Sequence, residues 1–177
     1  MPLLPGVLWM QEASVLFDSS LINRDRIALF QCPVGSTDHG VVKRWKDTNM
    51  VMHAMLPVPR QFKIQRMYCL ILDAGRRPIP LTGSHLWTDT KLSLEISMRG
   101  FLDGPAWIFA HPNIVFAGLD HKERERKRQE WLRFQGPDLE IPILPAQYFK
   151  VQVECAAPEP DDTLIVMLQG TLTREVM

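Results

Sequence analysis

Between Lys91 and Met98 the sequence KLSLEISM alternates without a fault, placing Leu92, Leu94, Ile96 and Met98 on one side and Lys91, Ser93, Glu95 and Ser97 on the other. Successive side chains of an extended chain point to opposite faces, so this run predicts a strand half buried against a core. FKVQVEC repeats the pattern, with Phe149, Val151, Val153 and Cys155 inward. Phe62 to Leu72 opens as an alternation and ends as a continuous apolar run, which predicts a long strand finishing between two layers. Thr163 to Val176 reads as a long closing strand, with Gly170 as a bulge or bend. Shorter strands are expected at Arg26–Phe30, Val41–Trp45, Met50–Met55, Ala106–Ala110 and Leu139–Ile143.

Eleven of the 14 prolines lie in LPVPR, RRPIP, DGP, AHPN, QGPD, IPILP and APEPDD, and all of these but Pro142 fall between the expected strands. Proline has no N–H for a ladder, so these stretches are read as connections between strands, spaced as in a sandwich or barrel. One segment departs from the pattern. Asp120–Phe134 has no β-branched residue, is rich in helix formers and sets Glu123 four residues before Lys127, so a short helix inserted in a loop is expected there. Trp131, Leu132 and Phe134 give it an apolar end.

At 177 residues, 46% hydrophobic and 23% charged, the chain is expected to fold as one domain and to bury about 70% of its unfolded surface. Its formal net charge of +0 argues against a surface that tracks nucleic acid throughout. Cys32, Cys69 and Cys155 lie far apart with no CxxC spacing, which indicates neither a disulfide framework nor a zinc knuckle and makes a reducing compartment the expectation. The opening MPLLPGVLWM lacks the basic start of a signal peptide, and 18 apolar residues never run together, so no transmembrane helix is expected.

Catalytic signatures are missing. His39, His53, His85, His111 and His121 never occur as HxH or HxxxH, and no GxSxG, GxxxxGK[ST] or GxGxxG stretch is present. Cys69 lies in an apolar run, where a thiol is buried and inert. No catalytic residue, metal site or cofactor is therefore expected. Candidate contact residues are apolar: Leu3, Leu4, Leu8, Trp9 and Met10 near the N-terminus, and Met50, Met52 and Met55 in TNMVMHAML. Methionine-rich surface suits interfaces, although the same residues also fill gaps in cores. Arg124, Arg126 and Arg128 of the basic run add a surface for a neighbouring subunit or nucleic acid, but Glu123, Glu125 and Glu130 interleave with it and favour a solvated helix face.

The order TNM, LPVPRQFKIQRM, KLSLEISMRGFLDGPAW, IPILPAQYFKVQVE and LIVMLQGTLTREV resembles the single jelly-roll structural proteins of icosahedral prokaryotic viruses, over residues 47–177. The resemblance implies an all-β fold: an eight-stranded jelly-roll sandwich of two antiparallel sheets with one short helix in a loop. Residues 1–25 are expected as an N-terminal arm and 26–177 as a single jelly-roll domain carrying the helical insertion at 120–134. By the same resemblance the chain is a capsid subunit of a bacteriophage virion, assembled in the host cytoplasm with copies of itself and other capsid proteins. Deleting Met1–Met10 is then expected to leave the sandwich folded and weaken assembly. Nucleic acid stays open as a partner without being favoured, as does a membrane beneath the shell. The alternatives are a head-stabilising cement protein on the same fold and, in a different class, a cupin-like enzyme or ligand-binding barrel.

Overall fold

The alternating runs become the middle of a two-layer structure. A computed structural model describes residues 9–38, 40–81, 84–115, 122, 123, 126, 139–157 and 161–175. In chain order its elements are β1 (Trp9–Leu21), β2 (Arg26–Leu29), β3 (Thr37–Asp38), β4 (Val41–Val42), β5 (Gln61–Leu72), the one-turn helix α1 (Leu86–Asp89), β6 (Thr90–Ile96), β7 (Arg99–Pro105), a 3₁₀ turn (Ala106–Phe109), the one-turn helix α2 (Pro112–Val115), β8 (Ile141–Ile143), β9 (Phe149–Cys155) and β10 (Thr163–Glu175). The fold is all-β. Two four-stranded sheets run in the orders β1-β10-β5-β8 and β2-β9-β6-β7, and β3 with β4 makes a small ribbon. Among the described residues every pairing between these strands is antiparallel.

One hydrophobic cluster draws on both sheets, so they pack face to face. From one come Phe62, Ile64, Leu164, Val166 and Leu168; from the other come Leu92, Leu94, Ile96, Phe149, Val151 and Val153, all buried. The inward faces of the 91–96 and 149–155 runs thus lie where their period places them. Met98 does not follow: β6 ends at Ile96, and Ser97 and Met98 turn into β7 with φ of 48° and 65°. Both positions lie in the left-handed region that a two-residue type I′ hairpin turn requires, and the turn carries Met98 out of the core.

A bulge explains the two-part pattern of β5. Gly170 of β10 sits opposite Ile64 and Gln169 opposite Arg66, so Gln65 is left without a partner. The extra residue reverses the parity of β5, and Met67, Cys69 and Ile71 take over the inward face from Phe62 and Ile64. Tyr68, on the opposite face, is buried under His111, their rings 5.2 Å apart edge to face.

Several expectations are corrected. Residues 9–25 are not an arm, because Trp9–Leu21 pairs with β10 along its whole length and Ile22 is fully buried. The inward positions of β1 carry Leu16 and then Asp18, and that polar break hides its period. Met50–Met55 is irregular, with bends over 51–55, rather than a strand, and Ala106–Phe109 is a 3₁₀ turn whose buried members are Ala106 and Phe109. The expected strand at Val41–Trp45 shrinks to Val41–Val42. Pro105 and Pro142 lie within β7 and β8, outermost strands of their sheets, where the missing N–H is tolerated. The expected insertion at 120–134 lies outside the described residues except for Lys122, Glu123 and Arg126.

Candidate functional site

The residues singled out as contacts are placed only in part. Leu3, Leu4, Leu8, Arg124 and Arg128 lie outside the described residues, and Arg126 is exposed. Trp9 and Met10 are half-buried at the start of β1, opposite Glu175 and Arg174. Met50 is core rather than interface, only 2% exposed. Its neighbour Met52 is exposed and Met55 half-buried. Among the described residues the most exposed large apolar side chains are others: Met98 at 94%, Val58 at 71% and Trp45 at 65%, followed by Val41 and Val42 of the ribbon.

The outer face of the second sheet is polar and internally paired. Lys91 meets Asp103 at 3.0 Å, Lys150 meets Glu95 at 3.1 Å, and Arg26 meets Glu154 at 3.3 Å. A wide depression of about 600 Å³ lies over this face, lined by Lys91, Glu95, Asp103 and Glu154 together with Met98 and Phe101. Phe101 is the bulged residue of β7, skipped between Gly100 opposite Glu95 and Leu102 opposite Leu94.

Beneath the β3–β4 ribbon lies a different arrangement. Asp18 occupies an inward position of β1 and is 1% exposed. Lys43, the residue after β4, turns its side chain beneath the ribbon and is 5% exposed. The local fold holds it there: the Lys43 N–H donates to the Ser36 carbonyl and the Gly35 N–H donates to the Lys43 carbonyl. Lys43 Nζ stands 2.9 Å from Asp18 Oδ1 and 3.3 Å from Asp38 Oδ2, and donates to the Ser19 carbonyl. Asp18 accepts two backbone N–H groups besides, from Ser19 on Oδ1 at 2.9 Å and from Phe30 on Oδ2 at 2.5 Å. Phe30 holds that N–H in place with a left-handed φ of 66°, while its ring packs on Phe149 at 5.6 Å.

The carboxylates of Asp18 and Asp38 both approach the Lys43 ammonium. Burial pushes the Asp18 carboxyl above its ordinary value, outweighing the pull of Lys43 and the hydrogen bonds in the opposite direction. A cleft of about 170 Å³ opens beside the cluster, lined by Ser20, Asn23, Arg24, Asp47 and Arg76 among others.

Comparison with protein-family models, with curated proteins and with solved structures finds no match to this chain. Among the described residues no three His, Cys, Asp or Glu side chains gather as metal ligands. None of the helices described is long and apolar enough to cross a membrane. Cys69 and Cys155 are buried, and burial drives the Cys69 thiol far up.

The Asp18–Lys43–Asp38 cluster carries no local motif. Asp18 and Lys43 are 25 residues apart, and lysine is by default a surface residue. The one usable signal is an aspartate at an inward position of an extended run, legible only once β1 itself is recognised.

Proposed function

We propose that the chain is a structural subunit of an icosahedral bacteriophage capsid, built on an eight-stranded jelly roll and assembling with copies of itself and other shell proteins. The observation that carries this reading is the winding of the two sheets. Taking the eight strands of the two sheets in chain order, the first pairs with the last, the second with the seventh, the third with the sixth and the fourth with the fifth. A single long hairpin rolled into two layers pairs in that way, and the double Greek key of capsid jelly rolls is such a hairpin. The same fold also serves lectins and cupins, so the surface has to carry the rest.

Met98 supports assembly. A residue at the tip of a hairpin with φ of 65° is favoured as glycine or asparagine, yet here it is a methionine with 94% of its surface in solvent. Val58, Trp45, Val41 and Val42 add exposed apolar surface, the kind that neighbours cover in an assembly. The virion, assembled in the host cytoplasm, is the corresponding location.

Light scattering and negative-stain microscopy of the purified chain across a concentration series test the proposal. Rings, sheets or closed shells that grow with concentration are expected. A monomer at every concentration, alone and with pre-formed shells, overturns it; a small oligomer that decorates pre-formed shells replaces it with the cement reading.

A further inference from the structure

We propose that Lys43 and Asp18 condense into an intramolecular isopeptide bond, with Asp38 as the catalytic proton shuttle. The inference stands on the buried cluster alone and holds whatever the chain assembles into.

The geometry supplies each part of the reaction. Lys43 Nζ, the nucleophile, is in hydrogen-bond contact with the Asp18 carboxyl at 2.9 Å, and both side chains are almost wholly out of water. Holding two reactants together in this way replaces a bimolecular encounter by an effective concentration on the order of 10⁵–10⁸ M. In water the ionic pair is favoured over the amide because both ions are well solvated. Burial removes that solvation from the pair, and at Asp18 it favours the neutral acid, the electrophilic form. The raised Asp18 carboxyl agrees with this.

The second carboxylate is placed to carry a proton from the amine. Asp38 Oδ2 lies 3.3 Å from the same Nζ, on a residue that is not the electrophile. The backbone N–H of Phe30 donates to Asp18 Oδ2, the oxygen away from the amine, and is aimed there by the left-handed backbone of Phe30. A fixed donor at that place stabilises the negative oxygen of a tetrahedral intermediate.

The step balances without any outside reagent. A proton passes within the pair, from the Lys43 ammonium to Asp18 Oδ1, leaving an amine and a carboxylic acid. Nζ then attacks Asp18 Cγ, and the C–O double bond opens onto Oδ2 beneath the Phe30 N–H. Asp38 takes a second proton from nitrogen and passes it to the protonated Oδ1, which leaves as water when the C–O bond breaks. The C–O double bond re-forms, nitrogen keeps its third hydrogen as the amide N–H, and Asp38 returns to a carboxylate. The product ties β1 to the base of the ribbon.

Intact-mass measurement of the denatured full-length chain tests the proposal. The expected mass is one water below that of the sequence. Digestion is expected to yield a branched peptide joining the segments that contain Asp18 and Lys43, with no tryptic cut after Lys43. Lys43→Arg and Asp38→Asn are each expected to restore the full mass. A wild-type chain at full mass after prolonged incubation overturns the inference, as does a water lost within a linear peptide at Asp18–Ser19, which is a succinimide. The wild-type mass decides the matter even if a variant fails to fold, and a cross-linked Asp38→Asn chain overturns the role of Asp38.

Discussion

A β-carbon built on Gly170 lies 2.0 Å from the carbonyl oxygen of Lys63. The contact is with backbone, so no side chain can rotate away to relieve it. Gly170→Ala must push β10 off β5 at the bulge, and overpacking of this kind costs about 3 kcal/mol. The urea midpoint of unfolding is expected to fall at an unchanged slope. An alanine variant as stable as the wild type would contradict the close approach of the two strands.

At the β6–β7 turn the expected effects of a substitution have opposite signs. Met98→Gly relieves a left-handed backbone that costs a non-glycine residue about 1 kcal/mol, so the isolated chain is expected to become more stable. If the exposed methionine is a contact between subunits, the same variant assembles at higher concentrations than the wild type. Thermal unfolding of the dilute chain and light scattering of the concentrated chain read the two effects separately.

The positions that were legible in the sequence are those where packing and local period agree. Leu92, Leu94 and Ile96, and Phe149, Val151 and Val153, alternate because each strand has one face on the core, and all six are buried. Gly170 was legible as a bulge because nothing else in that strand accounts for a glycine. Strand β1 was hidden because Asp18 stands at a core position, and β7 because RGFLDGP has two glycines, a proline and a bulge at Phe101. AWIFA was ambiguous, since a short apolar run suits a buried strand and a 3₁₀ turn equally well. Met50 reads as surface in TNMVMHAM but enters the core from irregular backbone, with Ala54 nearby at a φ of 53°. The Asp18–Lys43–Asp38 cluster depends on three backbone paths meeting, and no spacing in the sequence encodes that.

Thiol reagents are expected to separate the three cysteines. Cys32 is partly accessible, while Cys69 and Cys155 are buried. Burial, with Asp38 nearby, raises the Cys32 thiol above its ordinary value. Its reactive thiolate is therefore scarce at neutral pH, and its labelling rate is expected to keep rising above pH 9. Cys69, whose Sγ lies 3.2 Å from the Ala106 carbonyl oxygen, is expected to label only when the chain unfolds. Mass mapping of native and urea-treated samples checks the order, and early labelling of Cys69 would contradict its burial.

Truncation probes where the sandwich begins. Removing Met1–Met10 takes away the first two residues of β1 but leaves Gln11–Leu21 paired with Thr163–Thr173. The circular dichroism of a β-sandwich is expected to persist with a modest loss of stability. Removing residues through Ser20 strips Leu16 and Asp18 from the core and exposes the edge of β10, so the fold is expected to be lost. A chain that folds normally without β1 would return these residues to an arm.

The isopeptide bond between Asp18 and Lys43 has a thermodynamic signature apart from its mass. The bond closes a loop between residues 25 apart, and the chain-entropy arithmetic used for a disulfide gives about 3.5 kcal/mol of stabilisation from the restricted unfolded state. Lys43→Arg keeps a cation between the two carboxylates but cannot form the amide. It is expected to lose about that much and to unfold with a steeper urea dependence, because the unfolded chain is no longer held in a loop. A buried ion pair alone predicts a different pattern: removing one partner, as in Lys43→Met, costs about 3–5 kcal/mol, while replacing both partners by apolar residues recovers much of the loss. In a covalently closed chain the double replacement, Asp18→Leu with Lys43→Met, still forfeits the loop, and its urea slope stays as steep as that of Lys43→Arg. Recovery of stability in the double variant together with a wild-type urea slope would therefore mean that Asp18 and Lys43 are held by charge and hydrogen bonds alone.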